Sequence, residues 1–195
     1  MRDISASKDL VVRRVHSGDQ NDICDHFLRL DVGSRRSRFF GAVSDAGVLK
    51  YARNVIRYDS VAGGAFVGGQ LRGLVELSGL FHSWPSTAEA AFSVETDWQN
   101  IGIGDALFEQ MFAMAQNRRV RTVQMTCLKE NSHMRHLAAK HNAQLLFDAD
   151  AVEAVLYPNW PTPGSIAKEM IAQTREYSHL LFRQACKNRL PKDSQ

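Results

Sequence analysis

The chain has 195 residues, of which 44% are hydrophobic and 23% charged, and its formal net charge is +3. These values are ordinary for one globular domain with an appendage, and they exclude disordered and fibrous classes. The mild positive balance suits anionic ligands such as nucleotides without demanding nucleic acid.

Residues 1–9 alternate charged and small types and lack the apolar run of a signal peptide. Residues 10–15 form a short β-branched run and predict a strand. Ser17-Gly18-Asp19 then supplies a turn and a helix N-cap. Ile23, Phe27 and Leu30 recur at helical spacing and predict a helix over residues 19–30. Gly33 reads as a break and residues 35–40, rich in arginine and phenylalanine, as a loop. Ser44-Asp45 caps a second helix through Val48, Leu49, Tyr51 and Ala52. Residues 61–67 and 71–80 are strand-like around the hairpin turn Gly68-Gly69. Residues 88–94 predict a strand, 103–116 a helix, 122–127 a strand, 132–140 a helix, and 145–147 with 152–156 the last two strands. The order is that of a mixed α/β (α+β) domain. Pro158, Pro161, Pro163 and Gly164 mark its end, which gives a main domain over 1–157 and, over 158–195, a proline-rich connector with an amphipathic helix from Ser165 to about Asn188.

No run of about 18 apolar residues suggests a membrane span, so a soluble protein is expected. Cys24, Cys127 and Cys186 are odd in number and widely spaced, which argues against a disulfide framework and for a reducing, cytoplasmic setting. The seven histidines lack ligand spacing, and no metal site is predicted.

The most informative run is Gln99-Asn100-Ile101-Gly102-Ile103-Gly104, between a predicted strand and a predicted helix. A helix N-terminus presents unpaired N–H groups and the positive end of a dipole, which together hold a diphosphate. Gly102 and Gly104 remove the Cβ atoms that would keep phosphate oxygens away, while Ile103 turns into the core.

With Gln99, Gly102 and Gly104 in place, the chain resembles the GNAT acetyltransferase superfamily, whose signature is Gln/Arg-x-x-Gly-x-Gly/Ala. The likeness reaches back to Val94 and forward to Asn131, Met134 and Leu137. The run from Ala88 to Gln99 looks most like the acetyltransferase domain of bacterial protein lysine acetyltransferases. The resemblance implies a mostly antiparallel sheet splayed after the fourth strand, with acetyl-coenzyme A as co-substrate. It implies that Phe92, Val94, Gln99, Asn100, Ile101, Gly102, Ile103, Gly104, Asp105 and Asn131 line the cofactor. Val94 would pair its backbone with the pantetheine arm once the fourth and fifth strands part beyond it.

Acetyl transfer requires a neutral amine, so a general base must remove a proton. By resemblance Glu89 is that base, helped by partial burial, and Glu76 is the runner-up. The family often places a tyrosine acid where this chain has Ala138. Arg38, Phe39 and Phe40 are the expected acceptor-lining residues, and the acceptor is a small-molecule or protein amine. Two competing classes are a catalytically silent acyl-coenzyme A sensor and a nucleic-acid binder using Arg118-Arg119-Val120-Arg121. The amphipathic C-terminal helix suggests a homodimer.

Overall fold

The structure, a computed structural model, describes residues 10–81, 86–167, 169 and 170. Strand β1 (Leu10–Arg14) leads through a single 3₁₀ turn, Ser17–Asp19, into α1 (Gln20–Arg29). Asp19 fastens this entry. Its carboxylate takes both terminal nitrogens of Arg13 at 2.8 and 2.7 Å and the His16 amide at 3.0 Å. The buried face of α1 carries Ile23 and Phe27 as the spacing predicts, and also His26.

The loop expected over residues 35–40 is instead a helix, α2 (Val32–Phe39). Its first turn is capped by Asp31, whose side chain accepts the Ser34 amide at 2.7 Å, and it stops where Phe40 adopts a left-handed φ of 59°. None of its residues is fully buried, so it offers no apolar stripe for periodicity to detect. Polar ties hold it, including Arg35 to Asp45 at 2.5 Å and to the Leu28 carbonyl at 2.8 Å. Gly33 lies in the first turn, where its flexibility costs less than in a helix interior. Helix α3 (Asp45–Ala52) follows, capped by Ser44 as expected.

Strands β2 (Ser60–Val67) and β3 (Gln70–Ser78) form the predicted hairpin, with positive φ at Gly68 and Gly69. Then come β4 (Thr87–Val94), α4 (Ile103–Asn117), β5 (Thr122–Leu128), α5 (Ser132–Lys140), β6 (Gln144–Phe147) and β7 (Ala151–Leu156). The seven strands make one sheet in the order β1-β2-β3-β4-β5-β7-β6. Every neighbouring pair is antiparallel except β4 and β5.

One apolar cluster joins the sheet to α4 through Ile103, Leu107, Phe108, Met111 and Met114. The other joins the opposite face to α1 and α3 through Ile23, Phe27, Val48, Leu71 and Leu74. Gly73 of β3 sets the fit of α4: a Cβ there would lie 2.9 Å from side-chain atoms of both Ile103 and Leu107. The first turn of α4 therefore sits closer to the sheet than any larger residue would permit.

The helix expected from Ser165 to Asn188 falls mostly outside the described residues. As far as it is described, the connector runs along the end of α4. Asn117 donates to Glu169 at 2.6 Å, Arg118 pairs with Glu169 at 3.1 Å, and Arg121 stacks on Trp160. Two residues of the basic run are thus engaged within the chain. No helix among the described residues is long and apolar enough to cross a membrane.

Candidate active site

β4 and β5 begin as parallel neighbours, with Thr87, Ala88 and Glu89 opposite Thr122, Val123 and Gln124. Their pairing stops there, although β4 continues to Val94 and β5 to Leu128. The sheet therefore opens at Glu89, five residues earlier than the expected parting beyond Val94. The reason lies in the flanking strands: β4 stays paired with β3 as far as Val94, while β5 follows β7 as far as Leu128. From Ala90 onward, no strand among the described residues pairs with the β5 side of β4.

A cleft of about 680 Å³ occupies this opening. On one side lie Glu89, Ala91 and Ser93, facing α1 and α2. On the other lie Ala90, Phe92 and Val94, facing α4. Phe92 stacks on Phe108 with ring centroids 5.7 Å apart, and Phe108 stacks on His141 at 4.0 Å.

At the wide end of the opening the chain turns into α4. Gln99 ties this turn back, its Nε2 donating to the Val94 carbonyl at 3.0 Å. Asn100 and Gly102 hold φ of 59° and 93°, and Gly102 is the N-cap. Gln99, Asn100, Gly102, Gly104 and Asp105 line the cleft. Ile103 is fully buried and Ile101 packs against the core, so only their backbones can serve a ligand. Ala106 N–H reaches the Gly102 carbonyl at 3.1 Å, which leaves the amides of Ile103, Gly104 and Asp105 ahead of that bond. A Cβ on Gly102 or Gly104 would enter open space or ordinary contact. The gap over these amides therefore belongs to no protein atom, and the turn fits a diphosphate.

Asp105 would place a charge beside that anion, but it is drawn aside by Lys140 at 2.8 Å and His141 at 3.2 Å. Burial alone would raise its carboxyl, and these two partners hold it below the ordinary value. Asn131 lines the cleft and caps α5, accepting the Met134 amide at 3.1 Å. Ala138 is buried in the core. No side-chain acid stands at that position.

Glu89 lines the cleft at the point where the strands part, and it is exposed, not partly buried. Glu76 does not line the cleft. Its two oxygens are held by Arg38 at 2.6 Å and by Tyr51 at 2.7 Å. Burial and then Glu76 push the Tyr51 phenol upward. For Arg38 burial opposes the charge, but Glu76 and Tyr51 more than offset it, and its pKa is raised. Arg38 and Phe40 face the cleft, whereas Phe39 packs against Phe27 and Tyr51, with centroids at 5.8 and 5.1 Å.

Sequence reasoning missed the group that anchors the end of β4. Glu95, buried, receives His26 Nδ1 at 3.2 Å, Arg29 Nε at 2.9 Å and Arg72 Nη1 at 2.8 Å, and His26 Nε2 lies 2.9 Å from Ser93 Oγ. The available signal was a histidine on the apolar face of α1, matched by Ser93 and Glu95 alternating along β4 and its end. Asp31 and Thr96, hydrogen-bonded to each other at the mouth of the cleft, were missed as well.

No curated protein matches the sequence. Among solved structures, the GNAT domain of S. lividans PAT superposes with a TM-score of 0.66 at 22% identity, over 75% of this chain and 89% of that one. Spermidine N-acetyltransferase from Vibrio cholerae, solved with CoA and spermine, gives 0.61 at 15% identity over 77% and 96%. A cAMP-binding acyltransferase from Mycobacterium smegmatis gives 0.54 at 20% identity, over 85% of this chain and 50% of that one. These likenesses show a shared fold. The profile of the acetyltransferase (GNAT) family matches residues 33–143, more than half of the chain and nearly the whole span from α2 through α5, and the protein therefore belongs to that family of acyltransferases.

Proposed function

We propose that the protein transfers an acetyl group from acetyl-coenzyme A to a primary amine, with Glu89 as the general base. The supporting observation is the alignment of three features along one opening. An unpaired strand edge runs about 13 Å from Ala90 to Val94. The N-terminus of α4, with the amides of Ile103, Gly104 and Asp105 ahead of its first backbone bond, lies at its wide end and the Glu89 carboxylate at its narrow end. An extended pantetheine chain would lie along the free edge of β4, replacing the missing ladder, with its diphosphate at Gly102 and Gly104. The donor supplies an activated thioester carbonyl; the protein supplies position and proton removal.

Proton removal falls to Glu89 because Glu76 lies outside the cleft lining and each of its oxygens is already engaged, by Arg38 and by Tyr51. An amine entering the cleft shares it with Glu89, Arg38 and Phe40. The reducing, cytoplasmic setting and a homodimer complete this reading, and Cys24 and Cys127 are both free thiols. Its test is the release of free thiol from acetyl-coenzyme A across a panel of small amines and lysine peptides, wild type against Glu89→Gln. Turnover should fall by about 10²–10⁴-fold, with cofactor affinity kept within a few-fold. Equal turnover would remove Glu89 from the role.

A further inference from the structure

Ser93, His26 and Glu95 stand in the order hydroxyl, imidazole, carboxylate, and Ser93, itself only 7% exposed, borders the cleft on the side of α1. Such an order serves a nucleophilic serine in many hydrolases. The surrounding charges decide against that role here. Glu95 already balances Arg29 and Arg72, at 2.9 and 2.8 Å. An imidazolium formed by taking the serine proton would add a further cation to a ring that is completely buried. Burial holds His26 below its ordinary pKa, against the pull of Glu95.

What the relay does fix is the direction of one hydrogen bond. Burial alone would raise the Glu95 carboxyl, but bonds from His26, Arg72 and Arg29 keep it low and ionised. It can therefore only accept, and the neutral ring must carry its proton on Nδ1. Nε2 is then a lone pair, and the Ser93 hydroxyl donates to it. The oxygen of Ser93 is left with lone pairs alone, in a buried residue that borders the cleft.

We propose that Ser93 is an acceptor-side binding residue, locked by His26 and Glu95 as a hydrogen-bond acceptor, and that it takes an N–H or ammonium donor of the amine substrate. This deepens the function proposed above and rests on its placing of the amine in the cleft. Ser93 lies roughly 13 Å along β4 from Glu89, so the donor it meets is a second N–H group of the acceptor, separate from the reacting amine. The acceptor class is accordingly an amine with a further amino or amide nitrogen several bonds away, such as a diamine or a peptide.

Two readouts test this. In kinetics with 1,8-diaminooctane and with N-acetyl-lysine amide, Ser93→Ala should raise the acceptor KM roughly tenfold with kcat little changed. Ser93→Thr should restore it, and coenzyme A affinity by calorimetry should match wild type in both variants, which also confirms folding. In ¹⁵N spectra of His26, wild type should show a neutral ring protonated at Nδ1 between pH 6.5 and 8. Adding 1,8-diaminooctane in the presence of coenzyme A should shift Nε2 in wild type but not in Ser93→Ala. An unchanged KM, an Nε2-protonated ring or no shift on adding the diamine overturns the proposal, as does covalent capture of Ser93 by a fluorophosphonate. The spectra need no turnover, so they decide for or against Ser93 even if acetyl transfer itself is absent.

Discussion

Gly104→Glu separates binding from folding in one substitution. Gly104 is the second residue of α4, and a Cβ there would come no nearer than 3.5 Å to its closest neighbour, Leu137 Cδ2, so the added side chain has room. An acidic residue in the first helical turn is favoured by the dipole by about 0.3–1 kcal/mol. The apo protein should therefore melt at or slightly above the wild-type temperature. The same carboxylate would stand beside the diphosphate. Two like charges at about 5 Å from a third repel it by roughly 2 kcal/mol at the dielectric of water and by more than about 6 at an effective dielectric of 20. Even the lower figure weakens binding about 20-fold, and blocking the Gly104 amide adds to it. Calorimetric titration with coenzyme A measures the loss directly, and Gly104→Ala, lacking the charge, should bind better than the glutamate variant. A Gly104→Glu protein that binds coenzyme A as tightly as wild type would refute the placement of the diphosphate.

Other expectations follow from particular contacts. Gly73→Val should push the first turn of α4 off the sheet, lowering stability by about 1–3 kcal/mol and weakening coenzyme A binding together, and a loss of stability alone would show that the turn does not depend on that fit. Asp19→Asn removes the carboxylate that takes both terminal nitrogens of the buried Arg13 and should cost about 3–5 kcal/mol in denaturant unfolding, with a cost under about 1 kcal/mol counting against the pair as an anchor. For His26 the folded pKa is depressed, so the unfolded chain binds the extra proton first. Stability is complete above about pH 6.5 and falls as the pH drops through the lower folded value. Melting curves from pH 7.5 to 5 should show that decline, and it should flatten in His26→Asn. The carboxylates of Asp19, Glu95 and Asp105 are held low, so their contribution is present above about pH 4.5 and disappears only in stronger acid.

Much of this architecture was legible because its signals are local. Gly68-Gly69 turns a tight hairpin, Ser44 and Asn131 cap the helices they precede, and Gly102 with Gly104 announces a helix N-terminus. Helix α2 escaped because its stability comes from the Asp31 cap and from arginine contacts to Asp45 and the Leu28 carbonyl, and none of these has a periodicity. The point of strand parting escaped because it depends on how far β5 follows β7, a pairing between segments distant in sequence. The same holds for the roles of the two glutamates. Both stand on strands, and only the tertiary structure shows that Glu76 is taken by Arg38 and Tyr51 while Glu89 stands open in the cleft. Phe39 and Phe40 are adjacent, yet the reversal of φ at Phe40 sends one into the aromatic cluster and leaves the other at the cleft.

If acetyl-coenzyme A bound in the β4–β5 opening reacts with an amine under the control of Glu89, thiol release must depend on both. Release from acetyl-coenzyme A, followed with and without amine for wild type and Glu89→Gln, reads that dependence. Wild type should give amine-dependent release that drops by at least about 10²-fold in the variant while coenzyme A binding persists. Tight coenzyme A binding with no amine-dependent release from any acceptor in the panel would contradict the proposed function and leave a binding protein in place of an enzyme.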